Sequence, residues 1–127
     1  MGIMYSLPSY KYYEVKDRIR KDIILLNTMP MNRQDCLIKG TMKANYEEEF
    51  MNQLLKTNKN KEIILYGLHH TDLSVIKKYN QLKKLGFKNV HIYFGGMYEW
   101  LLLQEVFGSI NFEIDGSLKD IIEYKIE

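Results

Sequence analysis

The chain has 127 residues, of which 46% are hydrophobic and 27% charged, and its formal net charge is +2. This length predicts a single domain over residues 1–127 that buries about two thirds of its unfolded surface. The 18 basic and 16 acidic residues are interspersed, without the basic stripe that nucleic-acid binding needs. No apolar run approaches the roughly 20 residues of a membrane span. We therefore expect neither a nucleic acid nor a membrane as partner.

The sequence contains one cysteine, Cys36, and its amino end lacks the pattern of a secretory signal. An internal disulfide framework is therefore excluded, and we expect a cytoplasmic location. The abundance of Lys, Asn, Ile and Tyr is typical of AT-rich genomes, such as those of protists and large DNA viruses. For a viral gene, the expected location is the host cell.

The amino-terminal part carries weak patterns. Pro8 disfavours a helix over residues 1–9, and residues 10–14 are predicted to form a short strand followed by one or two helical turns. Tyrosine is unusually frequent here, which indicates either cover for a sheet edge or a protein-binding patch. The tyrosines are Tyr5, Tyr10, Tyr12 and Tyr13.

Two apolar runs, at residues 23–26 and 62–66, have the length and branched composition of strands buried on both faces of a parallel sheet. We expect them to lie side by side. Between them, residues 39–42 predict a turn into a short extended segment, and residues 47–55 predict a helix. The inward side chains of that helix are expected to be Phe50, Met51, Leu54 and Leu55.

The strand at residues 62–66 begins the best-defined unit of the chain. It ends at Gly67, and the loop 67–72 leads into a helix with one predicted buried stripe. Gly86 is expected to end this helix, and residues 89–94 form the next strand, which gives a right-handed βαβ crossover. Ligands usually bind at the loop after the first strand of such a unit. The predicted stripe consists of Leu73, Ile76, Tyr79, Leu82 and Leu85.

The carboxyl-terminal third predicts two further helices. The first follows Gly95 and Gly96 and ends at Gly108, and its inward side chains are expected to be Met97, Trp100 and Leu101. A turn at residues 115–116 precedes the second, which Ser117 can cap. The inward side chains of this final helix are expected to be Leu118, Ile121 and Ile122.

The segment LGFKNVHIYFGGMYEW, residues 85–100, resembles the rhodanese-like domain family, in which a Gly-Phe-x-Asn-Val strand precedes a Gly-Gly-x-x-x-Trp helix. Looser similarities extend over residues 10–112. Residues 23–27 resemble the strand that carries the family's Asp-x-Arg motif, and residues 38–42 are similar to its His-Ile-x-Gly-Ala turn. The resemblance implies an α/β fold with a small, mostly parallel central sheet flanked by helices on both faces, and an active loop at residues 67–72.

In active members of that family the loop begins with a cysteine, whose thiolate is surrounded by backbone N–H groups. Gly67 stands at this position, and Asp72 replaces the arginine that many members carry at the sixth loop position. Asn27 and Met29 replace the Asp and Arg of the earlier motif. A domain that keeps the scaffold but changes these positions is expected to lack sulfur transfer. Asp72 is instead expected to cap the following helix.

Two classes of function therefore stay open. The first is a catalytically inactive module that binds a protein or a small neutral ligand at the loop. The second is an enzyme: a sulfurtransferase or related thiol enzyme that uses Cys36 from a non-standard position, or a hydrolase that uses His69 or His70. No cofactor or metal is expected, because no Cys or carboxylate stands at metal-ligand spacing from a histidine. The candidate binding residues are Gly67, Leu68, His69, His70, Thr71 and Asp72.

Overall fold

The computed structural model describes residues 7–125. Over these residues the strands are β1 (Ile24–Asn27), β2 (Cys36–Ile38), β3 (Ile63–Tyr66), β4 (Val90–Tyr93) and β5 (Ile114–Gly116). The α-helices are α1 (Tyr12–Arg18), α2 (Ala44–Thr57), α3 (Ser74–Leu85) and α4 (Gly96–Phe107). Two short 3₁₀ helices span Met31–Arg33 and Ile121–Tyr124. None of the helices in the described range is both long and apolar enough to cross a membrane.

The central sheet is parallel, with strand order β1-β3-β4, while β2 and β5 form a separate antiparallel pair. Alternate residues of the central strands point to opposite faces, because successive side chains in a strand alternate. One face packs on Met51 of α2 and on Val75 and Leu82 of α3. The other packs on Val15 of α1 and Trp100 of α4. The expected α/β fold, with a small sheet between two helical layers, is confirmed.

The predicted strand at residues 10–14 is wrong, because α1 begins at Tyr12. The side chain of Glu14 accepts a hydrogen bond from the backbone N–H of Lys11 at 3.0 Å, which stabilises the helix start. Within the described range, a single parallel bridge between Ser9 and Ile92 extends the sheet beyond β4. Tyr5, which belongs to the predicted tyrosine patch, lies outside the described residues.

The predicted stripe of the third helix is wrong at both ends. Leu73 is 68% exposed and Leu85 54% exposed, whereas Val75, Tyr79 and Leu82 are buried. A repeat of three residues falls short of the 3.6-residue turn, so it drifts around the helix, while steps of four and three stay on one face. Gly86 ends the helix as predicted, in the left-handed conformation with φ of 110°.

Two other apolar predictions are also corrected. Phe50 of α2 is exposed, while Met51 and Leu54 of that helix are buried. The predicted final helix is only the 3₁₀ turn Ile121–Tyr124, capped by Asp120 rather than Ser117. Its expected core residues Leu118 and Ile122 are exposed, and Tyr124 is buried instead. The predicted turn at residues 115–116 lies within β5, which pairs with β2 and carries the chain back to the core.

Candidate functional site

The loop 67–72 lies at the carboxyl end of β3 and is attached to the amino end of α4. The backbone N–H of Met97 donates to the carbonyl oxygen of Gly67 at 2.9 Å, and that of Tyr98 donates to the carbonyl oxygen of Leu68 at 2.8 Å. These bonds use two N–H groups in the first turn of α4, where N–H groups have no partner within the helix. The helix therefore fixes the backbone at the beginning of the loop.

Gly96 makes this attachment possible. Its φ is +67°, and a Cβ atom there would lie 2.7 Å from the carbonyl oxygen of Gly67 and 3.0 Å from the backbone nitrogen of His69. Any other residue would be strained in its backbone and would also push the loop away. The Gly-Gly sequence before α4 thus permits direct contact between the helix end and the loop.

Asp72 occupies the inside of the loop. Its Oδ2 accepts a hydrogen bond from the backbone N–H of Leu68 at 2.9 Å. Its Oδ1 accepts from the backbone N–H of Ser74 at 3.1 Å and from the Ser74 hydroxyl at 2.7 Å. One carboxylate therefore joins the start of the loop to the first residue of α3. It stabilises the helix amino end, as the sequence predicted, and it also accepts a hydrogen bond from a backbone N–H group of the loop itself.

The space above Gly67 is already filled. A Cβ atom on Gly67 would lie 2.5 Å from Asp72 Oδ2, 2.7 Å from Val75 Cγ2 and 2.9 Å from Thr28 Oγ1. All three distances are shorter than real Cβ contacts, so a side chain at this position requires movement of its neighbours. The place at which the family resemblance puts the nucleophile therefore has no room for one in this arrangement.

Two hydroxyl groups extend the network from Asp72 to β1. The Oγ atoms of Thr28 and Ser74 are 2.7 Å apart. Because the Ser74 hydroxyl gives its proton to Asp72, Thr28 is the donor in the contact with Ser74. Sequence reasoning missed both residues. The available signal was the spacing of Asp72 and Ser74, which suits an aspartate that caps a helix start.

Asn27 and Met29, at the positions of the family's Asp-x-Arg motif, have structural contacts. Asn27 is buried, and its Oδ1 accepts from the backbone N–H of Met29 at 3.0 Å and from Gln34 Nε2 at 2.7 Å. Its Nδ2 donates to Gln34 Oε1 at 3.1 Å. Met29 is buried in the core beside β2. Neither residue carries a charge toward the loop.

The outer part of the loop is formed by His69, His70 and Thr71. His69 is half-buried, and its Nδ1 lies 3.3 Å from the backbone nitrogen of Thr71 and 3.1 Å from the Thr71 hydroxyl. Nδ1 therefore accepts from the Thr71 N–H, which leaves the ring proton on Nε2. His70 and Thr71 are exposed, as is Leu73 at the beginning of α3. The loop thus presents a mixed polar and apolar surface next to an internally bonded interior.

An open cleft of about 420 Å³ lies beside the loop network, between residues 27–34 and the first turns of α2 and α3. Thr28 and Ser74 form its edge toward Asp72. Lys78 lines it as well, and its ammonium group forms an ion pair with Glu47. The volume is in the range of small-molecule sites, although the cleft is open to solvent.

Cys36 lies in β2 and is completely buried. Burial raises the pKa of its thiol, since the thiolate would lose its hydration. Reactive cysteines instead have a lowered thiol pKa and an accessible sulfur. His91 lies on β4, where its ring stacks on Tyr10 with 4.2 Å between the centroids. Among residues 7–125, no group of three or more His, Cys, Asp or Glu side chains is placed to hold a metal ion.

The sequence profile of the rhodanese-like domain matches residues 13–103. This is most of the chain, and the protein belongs to the rhodanese-like domain family. No curated protein sequence matches it significantly.

Solved structures with the same fold come from bacteria and yeast. The BH2092 protein from Bacillus halodurans matches with a TM-score of 0.66 and 18% identity over 94% of this chain and 87% of its own. The Alr3790 protein from Anabaena sp. matches with a TM-score of 0.62 and 19% identity, over 90% of this chain and 97% of its own. An uncharacterized protein from Saccharomyces cerevisiae matches with a TM-score of 0.60 and 19% identity, over 79% of this chain and 95% of its own. Identities this low show a shared fold.

The contact between Gly96 and the loop leads to a prediction about stability. Gly96→Ala is expected to lower the free energy of unfolding by roughly 3 kcal/mol, because a clash with the loop backbone adds to the cost of a positive φ. Gly86→Ala is the matched control, since Gly86 is in the left-handed conformation and its Cβ position meets only side-chain atoms of Lys59, at 3.5 Å or more. It should cost only about 1 kcal/mol. Urea denaturation measures both values, and equal costs would contradict a close packing of α4 against the loop.

Proposed function

We propose that this protein is a catalytically inactive rhodanese-like domain that binds a protein or a small neutral ligand at the loop 67–72. The hydrogen bond from the Leu68 N–H to the Asp72 carboxylate is the observation that carries the proposal. In active relatives the loop N–H groups surround a sulfur anion, whereas here a fixed side-chain anion uses one of them. The domain keeps the family's scaffold, and its own Asp72 carboxylate occupies the place of the external anion.

The charge of Asp72 also favours a particular class of ligand. A thiosulfate or phosphate ion at the loop would have to displace the carboxylate and break its bonds to Leu68 and Ser74. Hydrogen bonds to charged groups contribute about 1.5–3 kcal/mol each, which opposes the displacement. An anion that left the carboxylate in place would be repelled by it. A neutral ligand, or a protein surface that contacts His70 and Leu73, meets neither obstacle.

The alternative of a thiol enzyme that uses Cys36 is less well supported. Its sulfur is buried in β2, and the pKa of its thiol is raised by that burial, so little thiolate is available near neutral pH. Hydrolysis by His69 is also less well supported, because its Nδ1 already accepts a hydrogen bond from Thr71 within the loop. His70 is exposed and has no hydrogen bond to a carboxylate among the described residues.

The absence of catalysis can be tested with cyanide and thiosulfate. The purified protein is expected to show no sulfurtransfer, and Gly67→Cys alone should remain inactive and lose stability, because its Cβ overlaps Asp72 Oδ2. The double variant Gly67→Cys/Asp72→Gly should lose less stability than the sum of the losses in Gly67→Cys and in Asp72→Gly. The reason is that Asp72→Gly removes the carboxylate with which the new Cβ overlaps. Turnover by the wild type that disappears in Cys36→Ser, or efficient turnover by Gly67→Cys, would contradict inactivity.

The binding surface can be tested with the double variant His69→Ala/His70→Ala. Its free energy of unfolding should fall by no more than about 1 kcal/mol, because only the local contact with Thr71 is lost. A partner captured by the wild type from native cells should be retained several-fold less well, as measured by quantitative mass spectrometry. Lys83→Ala/Lys84→Ala, in the exposed last turn of α3, is the matched control and should keep the partner. A folded histidine variant with undiminished capture would place the binding surface elsewhere.

A further inference from the structure

A second cavity, of about 410 Å³, lies within the helical layer formed by α1 and α4. Its walls are residues 16–20 around the end of α1, the turn after β2, Trp100 of α4 and the segment that leads to β5. It shares no lining residue with the loop 67–72 or with the cleft beside that loop. Its volume is in the range of sites for small organic molecules.

The cavity carries an excess of positive charge. Lys16, Arg20 and Lys39 line it, against the single carboxylate of Glu113. Lys39 and Glu113 form an ion pair at 3.0 Å and neutralise each other. In the part of the chain that the structure describes, neither Lys16 nor Arg20 forms an ion pair with a carboxylate. Within residues 7–125 these two positive charges therefore have no anionic partner, and the Lys16 ammonium lies 4.5 Å from the centroid of the Phe112 ring.

The remaining wall is apolar and aromatic. Trp100 is buried under the cavity and is fixed by a hydrogen bond from its Nε1 to the carbonyl oxygen of Glu113 at 3.0 Å. Ile19 is half-buried and packs against the same core. Ile110 lines the cavity and is 87% exposed, so its side chain contributes little to the core. An apolar group in the cavity would cover Ile110 and remove its surface from water.

We propose that this cavity binds an organic anion with an apolar body. The acidic group lies against Lys16 and Arg20, and the apolar body lies over Ile19, Trp100 and Ile110. Guanidinium and ammonium groups pair with carboxylate, sulfonate or phosphate, and the exposed Ile110 side chain supplies apolar surface that the ligand removes from water. This site is independent of the function proposed for the loop.

The protein contains its own reporter, because Trp100 is its only tryptophan. Two probes have nearly the same aromatic body and differ in charge: 1-anilinonaphthalene-8-sulfonate and the neutral N-phenyl-1-naphthylamine. The sulfonate should bind saturably to the folded protein and quench the fluorescence of Trp100. Its dissociation constant should be at least about fivefold lower than that of the neutral probe, because only the sulfonate pairs with Lys16 and Arg20.

Variants separate the two parts of the site. Lys16→Gln/Arg20→Gln should weaken the sulfonate at least about fivefold and leave the neutral probe within about twofold. Ile110→Ser should weaken both probes. Lys83→Gln/Lys84→Gln removes the same charge from the exposed end of α3 and should leave the affinities for both probes unchanged. His69→Ala/His70→Ala in the loop should also leave both affinities unchanged. Near-ultraviolet circular dichroism checks folding, and the single variant Arg20→Gln, at an exposed position, replaces the double variant where that fails to fold.

Three outcomes would overturn the proposal. The first is equal affinity of the wild type for the two probes, which would show hydrophobic adsorption without recognition of charge. The second is wild-type affinity for the sulfonate in the Lys16→Gln/Arg20→Gln variant, or in Arg20→Gln in its place. The third is an equal loss of sulfonate affinity in the Lys83→Gln/Lys84→Gln control, which would show a general effect of net charge. A loss of probe affinity confined to the cavity variants supports the site, whichever result the tests of the loop 67–72 give.

Discussion

The hydrogen bonds of the Asp72 carboxylate determine what the loop can do. A loop between a parallel strand and a helix presents backbone N–H groups that need an acceptor, and the helix amino end favours a negative charge. One side chain here serves one N–H group of the loop and one of the helix end, since the Asp72 carboxylate accepts from Leu68 and Ser74 at once. Because this anion is part of the chain, its effective concentration exceeds that of a dissolved anion. A sulfur or phosphate anion would therefore have to compete with the Asp72 carboxylate for the Leu68 and Ser74 N–H groups.

The rest of the local structure supports that arrangement. Tyr66, the last residue of β3, is buried, and its hydroxyl accepts from the Ile38 N–H at 3.0 Å and lies 2.7 Å from Thr41 Oγ1. Thr41 gives its own proton to the carbonyl oxygen of Ile38, so Tyr66 donates to Thr41. Burial raises the pKa of the Tyr66 hydroxyl and keeps this donor protonated. The end of β3 is thereby tied to the turn after β2, and Gly67 begins from a fixed point.

Local patterns were sufficient for the parts of the fold that depend on local chemistry. The βαβ unit, the helix end at Gly86 and the capping role of Asp72 follow from residue types and their spacing. The pairing of β5 with β2 could not be predicted, because three residues that include Asp115 and Gly116 carry no strand pattern and are held by distant partners. The same limit applies within the site. Thr28 meets Ser74 because β1 and β3 are neighbours, and the sequence separates the two residues by 46 positions.

The most direct measurement is the response of the Leu68 and Ser74 backbone amide signals to thiosulfate, followed by ¹⁵N nuclear magnetic resonance. If the Asp72 carboxylate holds these N–H groups, both signals should stay in place as thiosulfate is added at constant ionic strength, because both donors are already occupied by the carboxylate. A saturable shift of the Leu68 amide, accompanied by Ser74, would show that an external anion displaces Asp72 and that the loop is an open anion site after all.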